Sequence, residues 1–229
     1  MIIIANKNIP ELALKRLKEY GRVLTFETTG LTYPSISCHP DVFLCLSDDQ
    51  LIIAPNTPDV FSKLLNENKI RLLKGQSDVG YSYPETAKYN AVITKTHLIH
   101  NLEVTDNTIK ESCIDKGKIH VNQGYTRCNL LPINNDNFIT SDEGIYHTLV
   151  TNKLNVLYVD PQEILLPGFK NGFIGGACGV YQNRIFIIGS LINLSNGEQM
   201  ASFVKEAGYQ VIELCEGPLF DCGSLIFID

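Results

Sequence analysis

The chain of 229 residues has no excess of basic side chains: 19 Lys and Arg stand against 25 Asp and Glu, a net charge of −6. With no positive field to neutralise phosphates, nucleic acid is not expected as the main partner. No apolar run approaches the roughly 20 residues that span a bilayer, so no membrane partner is expected. The opening MIIIAN carries no basic stretch and only a short apolar run, unlike a secretory signal. The seven cysteines are odd in number and form no CxxC pair. That usage predicts free thiols in a reducing cytoplasm. Cys38, His39, His97 and His100 are ligand types, but their spacing pairs none of them as a zinc site does, and no metal is expected. The Gly-rich segment GFKNGFIGGACG (168–179) departs from the dinucleotide fingerprint, and no strand–turn–helix pattern surrounds it.

What is present is a globular balance, 44% apolar and 19% charged, on a chain long enough to bury a core. Five helix starts stand out. Asn8 opens a run to Tyr20-Gly21, with Glu11 placed to complete a capping box, and Thr57-Pro58-Asp59 opens VFSKLLNEN with Pro58 at the first helical position. Thr105-Asp106 opens a run to Gly117, Ser141-Asp142 one to about Asn152, and the capping box Ser195-Asn196-Gly197-Glu198 one to Gly208. Each helix is followed by a short β-branched or aromatic segment, beginning at Arg22, Ile70, Lys118, Asn155 and Tyr209. A loop follows, and then a pair of strands joined by a tight turn, at 41–55, 89–101, 128–141 and 177–190. The turns are Ser47-Asp48-Asp49, Asn134-Asn135-Asp136 and Gln182-Asn183, which is hairpin chemistry.

The fifth hairpin is split. DCGSLIFID ends the chain with one strand and MIIIAN begins it with the other. Joined, they complete five strand–hairpin–helix units. The reading is therefore a single domain over 1–229, a five-fold pseudosymmetric α/β propeller of ββαβ-type units closed by pairing of the two termini. The competing reading is a generic α/β domain.

Such a ring gathers equivalent positions about one axis: His39-Pro40-Asp41, Tyr89-Asn90, Arg127-Cys128-Asn129, Gly176-Ala177-Cys178 and Asp221-Cys222-Gly223. A histidine, two carboxylates and several thiols are the parts of nucleophilic catalysis on a cation. Read singly, each stays open. Cys128, Cys178 and Cys222 suit small core positions, His39 a turn, and Asp41 an Asx-type hydrogen bond.

CHPDVFLCLSDDQLIIAP (38–55) resembles the His-x-Asp strand of the guanidino-group-modifying enzymes, the pentein superfamily. That superfamily includes arginine and agmatine deiminases and dimethylarginine dimethylaminohydrolase. GYTRCNLLPI resembles its nucleophile segment, and LFDCGSLIF the segment that carries an acid between a phenylalanine and two glycines, here with Cys222 replacing one glycine. Through the joined termini, Asp221 precedes His39 by 47 residues and Cys128 follows it by 89, one and two repeats. The order matches the superfamily with the termini elsewhere, as in a circular permutation.

The resemblance implies Cys128 as nucleophile, His39 as general acid/base, and Asp221 and Asp41 gripping a guanidinium and orienting His39. Arg127 and Asn129 flank them as substrate-binding residues, and Cys222 is the alternative nucleophile. It implies a small guanidino or amidino substrate, a hydrolase or amidinotransferase reaction, and no metal or organic cofactor. In one respect the chain departs from the pattern: Gly172–Cys178 lacks the second guanidinium-binding acid. That lack favours the other reading, a catalytically inactive pentein serving as a binding protein.

Overall fold

The protein is described here from a computed structural model covering residues 1–48 and 50–229. Asp49, expected in a hairpin turn, lies outside the described residues. In chain order the elements are β1 (Ile2–Asn6), α1 (Glu11–Leu17), β2 (Arg22–Phe26), α2 (Pro40–Phe43), β3 (Leu44–Ser47), β4 (Gln50–Ile53), α3 (Asp59–Glu67) and β5 (Leu72–Lys74). Then come β6 (Val92–Ile93), β7 (His97–His100), α4 (Asn107–Ser112), β8 (Gly117–His120), α5 (Thr126–Asn129), β9 (Leu130–Pro132), β10 (Asn137–Thr140), α6 (Glu143–Thr151) and β11 (Asn155–Tyr158). The chain finishes with β12 (Ile164–Leu165), β13 (Cys178–Tyr181), β14 (Arg184–Ile187), α7 (Gly197–Glu206), β15 (Gln210–Glu213), β16 (Leu219–Phe220) and β17 (Ile226–Ile228).

Among the described residues five three-stranded sheets share one topology: β3-β4-β5, β6-β7-β8, β9-β10-β11, β13-β14-β15 and β17-β1-β2. In each, an antiparallel hairpin is followed by a helix and a third strand parallel to the second. The fifth hairpin joins the two ends of the chain, with Ile2 opposite Ile228 and Ile4 opposite Ile226. β12 and β16 form a small parallel pair beside them. Among the described residues no helix is long and apolar enough to cross a membrane.

The middle strand of each sheet is covered on both faces, which is why it reads as a continuous apolar run and does not alternate. Ile3, Ile4, Leu51, Ile52, Leu98, Ile99, Phe138, Ile139, Phe186 and Ile187 are all fully buried there. Around them Phe26 packs on Phe43 and Phe61 with ring centroids 5.4 and 4.9 Å apart.

Several local expectations are corrected. Asp106 and Asp142 do cap their helices, accepting from Thr108 N–H and Ile145 N–H. Asn8 and Thr57 do not cap, because Pro10 and Pro58 occupy the N-cap positions of α1 and α3. α7 has Asn196 at its N-cap without a side-chain cap bond. α4 ends at Ser112, since Gly117 already pairs with His97 in the sheet. Asp41 and Cys128, expected to open strands, instead lie in the single helical turns α2 and α5 that precede β3 and β9.

Candidate active site

These two turns determine the chemistry. A helical turn sends successive side chains about 100° apart, so only some residues of each segment face a given cavity. One cavity of about 160 Å³ is lined by His39, Cys128 and Asp221 at its base, with Ile36, Val42, Leu166, Phe169, Phe173, Tyr33 and Tyr125 around them. Cys128, His39 and Asp221 are 5%, 3% and 1% exposed.

The Cys128 thiol donates to Asp41 Oδ2 at 3.0 Å, and its sulfur accepts from Asn90 Nδ2 at 3.3 Å. Asn90 Oδ1 accepts from the Cys128 amide at 3.0 Å, and Asn90 Nδ2 also reaches the Asp41 carbonyl at 3.1 Å. Ser224 Oγ lies 2.6 Å from Asp41 Oδ2 and 3.0 Å from the Gly175 carbonyl, which accept its hydrogen. Burial, followed by the negative charges of Asp41 and Asp221, pushes the Cys128 thiol well up. In the free protein it is a protonated thiol.

His39 Nδ1 lies 4.0 Å from Asp221 Oδ1. Asp221 accepts from the amides of Gly223, at 2.9 Å, and Phe173, at 3.0 Å. Burial raises its carboxyl to about 6, against the opposing pull of His39 and those amides. Among the described residues four buried side-chain atoms have no hydrogen-bond partner, and two of them, His39 Nδ1 and Asp41 Oδ1, belong to this cluster. Unsatisfied buried polar atoms are uncommon, and two of them in one cluster leave acceptor and donor capacity there that a ligand can use.

The Gly-rich segment wraps this base. A Cβ on Gly176 would stand 1.9 Å from Asp221 Oδ1, so only glycine lets the carboxyl reach its place. Gly223, at φ +69°, lies against His39, where a Cβ would stand 2.3 Å from the His39 Cβ. Where the superfamily pattern would supply a second acid, this segment supplies the Phe173 amide to Asp221 and the Phe173 ring to the wall.

The structure brings His39, Asp41, Cys128 and Asp221 together and leaves three expected residues out. Arg127 turns the other way, donating to the carbonyls of Gly175 at 2.8 Å and Cys178 at 3.3 Å. It lines a second cavity of about 120 Å³, together with Asp41 and with Leu46, Val92, Pro132, Val180 and Ile226 from the first strands of all five sheets. Asn129 is spent on the Tyr125 carbonyl, at 2.9 Å, and on Ser141. Cys222 is fully buried in the apolar cluster of Ile3, Ala5, Phe186 and Leu225, facing away from His39 because its neighbour Asp221 faces the cavity. Cys178 is likewise core, and burial pushes its thiol up to about 12. Asn90 and Ser224 were missed as site residues. For Asn90 the signal was its place among the five equivalent positions.

His39, Asp41 and Cys128 offer nitrogen, oxygen and sulfur donors within 4.8 Å of one another. A zinc ion would accept three such donors. The other ligand-type residues named from the sequence, Cys38, His97 and His100, are not part of this group. His100 is fully buried, and its ring nitrogens are taken by Thr105 Oγ1 and the Gly124 carbonyl, each at 2.7 Å.

A sequence-family profile described as a family of unknown function (DUF6873) matches residues 4–226, and the chain belongs to that family. No curated protein matches the chain. Among solved structures it is similar to an amidinotransferase from Microseira wollei in the saxitoxin biosynthetic pathway, at 12% identity over 100% of this chain and 94% of that one, with a TM-score of 0.58. It is similar to the agmatine deiminase of C. jejuni, at 13% identity over 93% and 74%, with a TM-score of 0.57. It is also similar to a dimethylarginine dimethylaminohydrolase of Pseudomonas aeruginosa complexed with citrulline, at 11% identity over 93% and 91%, with a TM-score of 0.53. These three share the pentein fold, and the chain has that fold.

Proposed function

We propose that this member of the DUF6873 family modifies a guanidino or amidino group, with Cys128 as nucleophile and His39 as acid/base. The observation that carries the reading is the cluster itself. The donor atoms of Cys128, His39 and Asp41 lie within 4.8 Å of one another, Asp221 is 4.0 Å from His39, and Cys128, His39 and Asp221 line the base of one cavity. We further propose that residues 1–229 form one domain in which the five sheets surround an axis as a propeller. The lining of the second cavity by all five first strands, and the pairing of β1 with β17, support that arrangement. They also support reading the order Asp221, His39, Cys128 through joined termini, as in a circular permutation.

In this mechanism a cationic substrate settles against Asp221, and its charge makes the thiolate accessible. The thiol proton passes to Asp41 Oδ2, already its hydrogen-bond acceptor, as sulfur bonds to the central carbon. Protonated His39 gives its proton to the leaving nitrogen. The C–N bond breaks, and a thiouronium-type intermediate stays on Cys128. Neutral His39 then takes a proton from water as hydroxide adds to the carbon. The C–S bond breaks, sulfur recovers its proton from Asp41, and the hydroxyl proton leaves with the released amine as its ammonium. The product is a ureido compound or an amide. An amine in place of water makes the reaction an amidinotransfer.

The second reading, a binding protein, is favoured by the missing acid in Gly172–Cys178 and by the pinned thiol. The test is labelling by 2-chloroacetamidine at pH 7, read by mass spectrometry, beside an assay for ammonia, amine or ureido product. Selective labelling of Cys128 that His39→Ala abolishes supports the enzyme. Labelling of all seven cysteines at one common rate, with no product, sinks it.

A further inference from the structure

The catalytic reading leaves the substrate's other end undefined, and the walls of the cavity speak to it. Above the polar base, the aliphatic side chains of Ile36, Val42 and Leu166 and the rings of Tyr33, Phe169 and Phe173 form the sides. Tyr33 and Phe169 rest on each other, with ring centroids 6.0 Å apart. Among the described residues no lysine or arginine lines this cavity. The cations next to lining residues along the chain are Lys170, which follows Phe169 and is exposed, and Arg127, which precedes Cys128. The Arg127 guanidinium belongs to the second cavity, and its bonds go to backbone carbonyls.

The tyrosine hydroxyls are engaged as well. Tyr125 Oη lies 2.5 Å from Thr86 Oγ1 and 3.4 Å from Tyr33 Oη. Among the described residues Asp221 is the one carboxylate in the lining, at the base beside His39. It is therefore taken by the cationic end of any substrate that reaches Cys128. The unpartnered His39 Nδ1, on a side chain 3% exposed, marks that same base as the polar end of the cavity.

We infer that the substrate is a monocation, a guanidine or amidine carrying an uncharged alkyl or aryl substituent, and not an amino acid or a diamine derivative. The inference rests on the guanidino reading above and names its substrate class. An α-carboxylate entering this cavity would lose its water with no cation or free donor to replace it. A distal ammonium would likewise find no second acid. An alkyl or aryl group would instead replace water along the aliphatic and aromatic walls, and the planar cation would lie near the faces of Phe173 and Tyr33.

The experiment is calorimetric titration of Cys128→Ser, which keeps the side-chain size and removes the nucleophile. The ligands are methylguanidine, butylguanidine, agmatine and L-arginine. The expected order is butylguanidine over methylguanidine, by about fourfold per added methylene. Agmatine and arginine should bind at least roughly 30-fold more weakly than butylguanidine, because their second charged group is stranded. Phe169 is 51% exposed, so Phe169→Arg is tolerated at the mouth. It should raise arginine affinity about tenfold by giving the carboxylate a partner. The same series run on the wild type, as protection of Cys128 from 2-chloroacetamidine, repeats the order without the Ser variant.

Arginine or agmatine binding as tightly as butylguanidine overturns the inference, and so does the absence of any butylguanidine binding. The expected order without wild-type product or selective labelling leaves the specificity standing and overturns the catalytic reading alone.

Discussion

Cys128 and Asp41 stand 87 residues apart in the chain, yet the thiol of one donates to the carboxylate of the other at 3.0 Å. An anion at that distance opposes ionisation of the thiol in the free protein and supplies a place for its proton when a cation arrives.

Asp41→Asn removes the charge and leaves an oxygen able to accept. The Cys128 thiol, now held up mainly by burial, should titrate lower, with about tenfold more thiolate for each pKa unit recovered. Iodoacetamide labelling of Cys128 at pH 8, followed by mass spectrometry, should therefore quicken, while turnover on any guanidino substrate falls. An unchanged labelling rate would mean that Asp41 does not control the thiol.

The pH dependence of stability should carry the mark of Asp221. Its carboxyl is raised from 3.8 to about 6 by burial, so the folded state binds a proton more tightly than the unfolded state. Stability from this group is full below pH 3.8 and is lost as pH rises through 6, by about 3 kcal/mol in all. Urea unfolding at pH 4 and at pH 6.5 should show that loss in the wild type. Asp221→Asn should flatten it. Equal slopes in the two proteins would assign the dependence to other groups.

Gly176→Ala places a methyl group 1.9 Å from Asp221 Oδ1. Displacement of the carboxyl should cost about 1–3 kcal/mol of stability and shift the pH dependence just described. A chemical-denaturation midpoint within error of wild type would show that the segment yields without strain.

Asn90 ties three site groups together with one fully buried amide. Asn90→Ala should destabilise the fold by about 1–3 kcal/mol through the unpaired Asp41 carbonyl and Cys128 amide. It should also remove selective labelling of Cys128 even where the protein stays folded by circular dichroism. Retained selectivity would reduce Asn90 to a packing role.

Linking Asp229 to Met1 with a short Gly-Ser segment and reopening the chain between the exposed residues Tyr81 and Ser82 should give a folded protein. β17 and β1 already form a hairpin across the termini. Near-wild-type denaturation and unchanged Cys128 labelling are expected. Failure of the joined chain to fold would mean that this pairing does not close the structure.

Hydrophobic pattern and turn chemistry are local properties, and they made the five helix–strand–hairpin units legible. LIIA at 51–54 and IFII at 185–188 read as doubly covered strands, and Ser47-Asp48 and Gln182-Asn183 as their turns. The split hairpin, too, was visible as two unpaired apolar ends. His39, Asp41, Cys128 and Asp221 came from motif spacing together with the pentein resemblance. The direction of each side chain was not in that pattern. Asp41 and Cys128 sit in single helical turns too short to show a period. Only the packed structure could turn Arg127 and Asn129 away, bury Cys222 against Ile3 and Phe186, and bring Asn90 and Ser224 in from other units. The same holds for Gly176, whose missing side chain matters because Asp221 stands against it from 45 residues away along the chain. Local patterning determines which elements form. Close approach between distant segments depends on how those elements pack, and that tertiary packing decided which four of the seven expected site residues share one cluster.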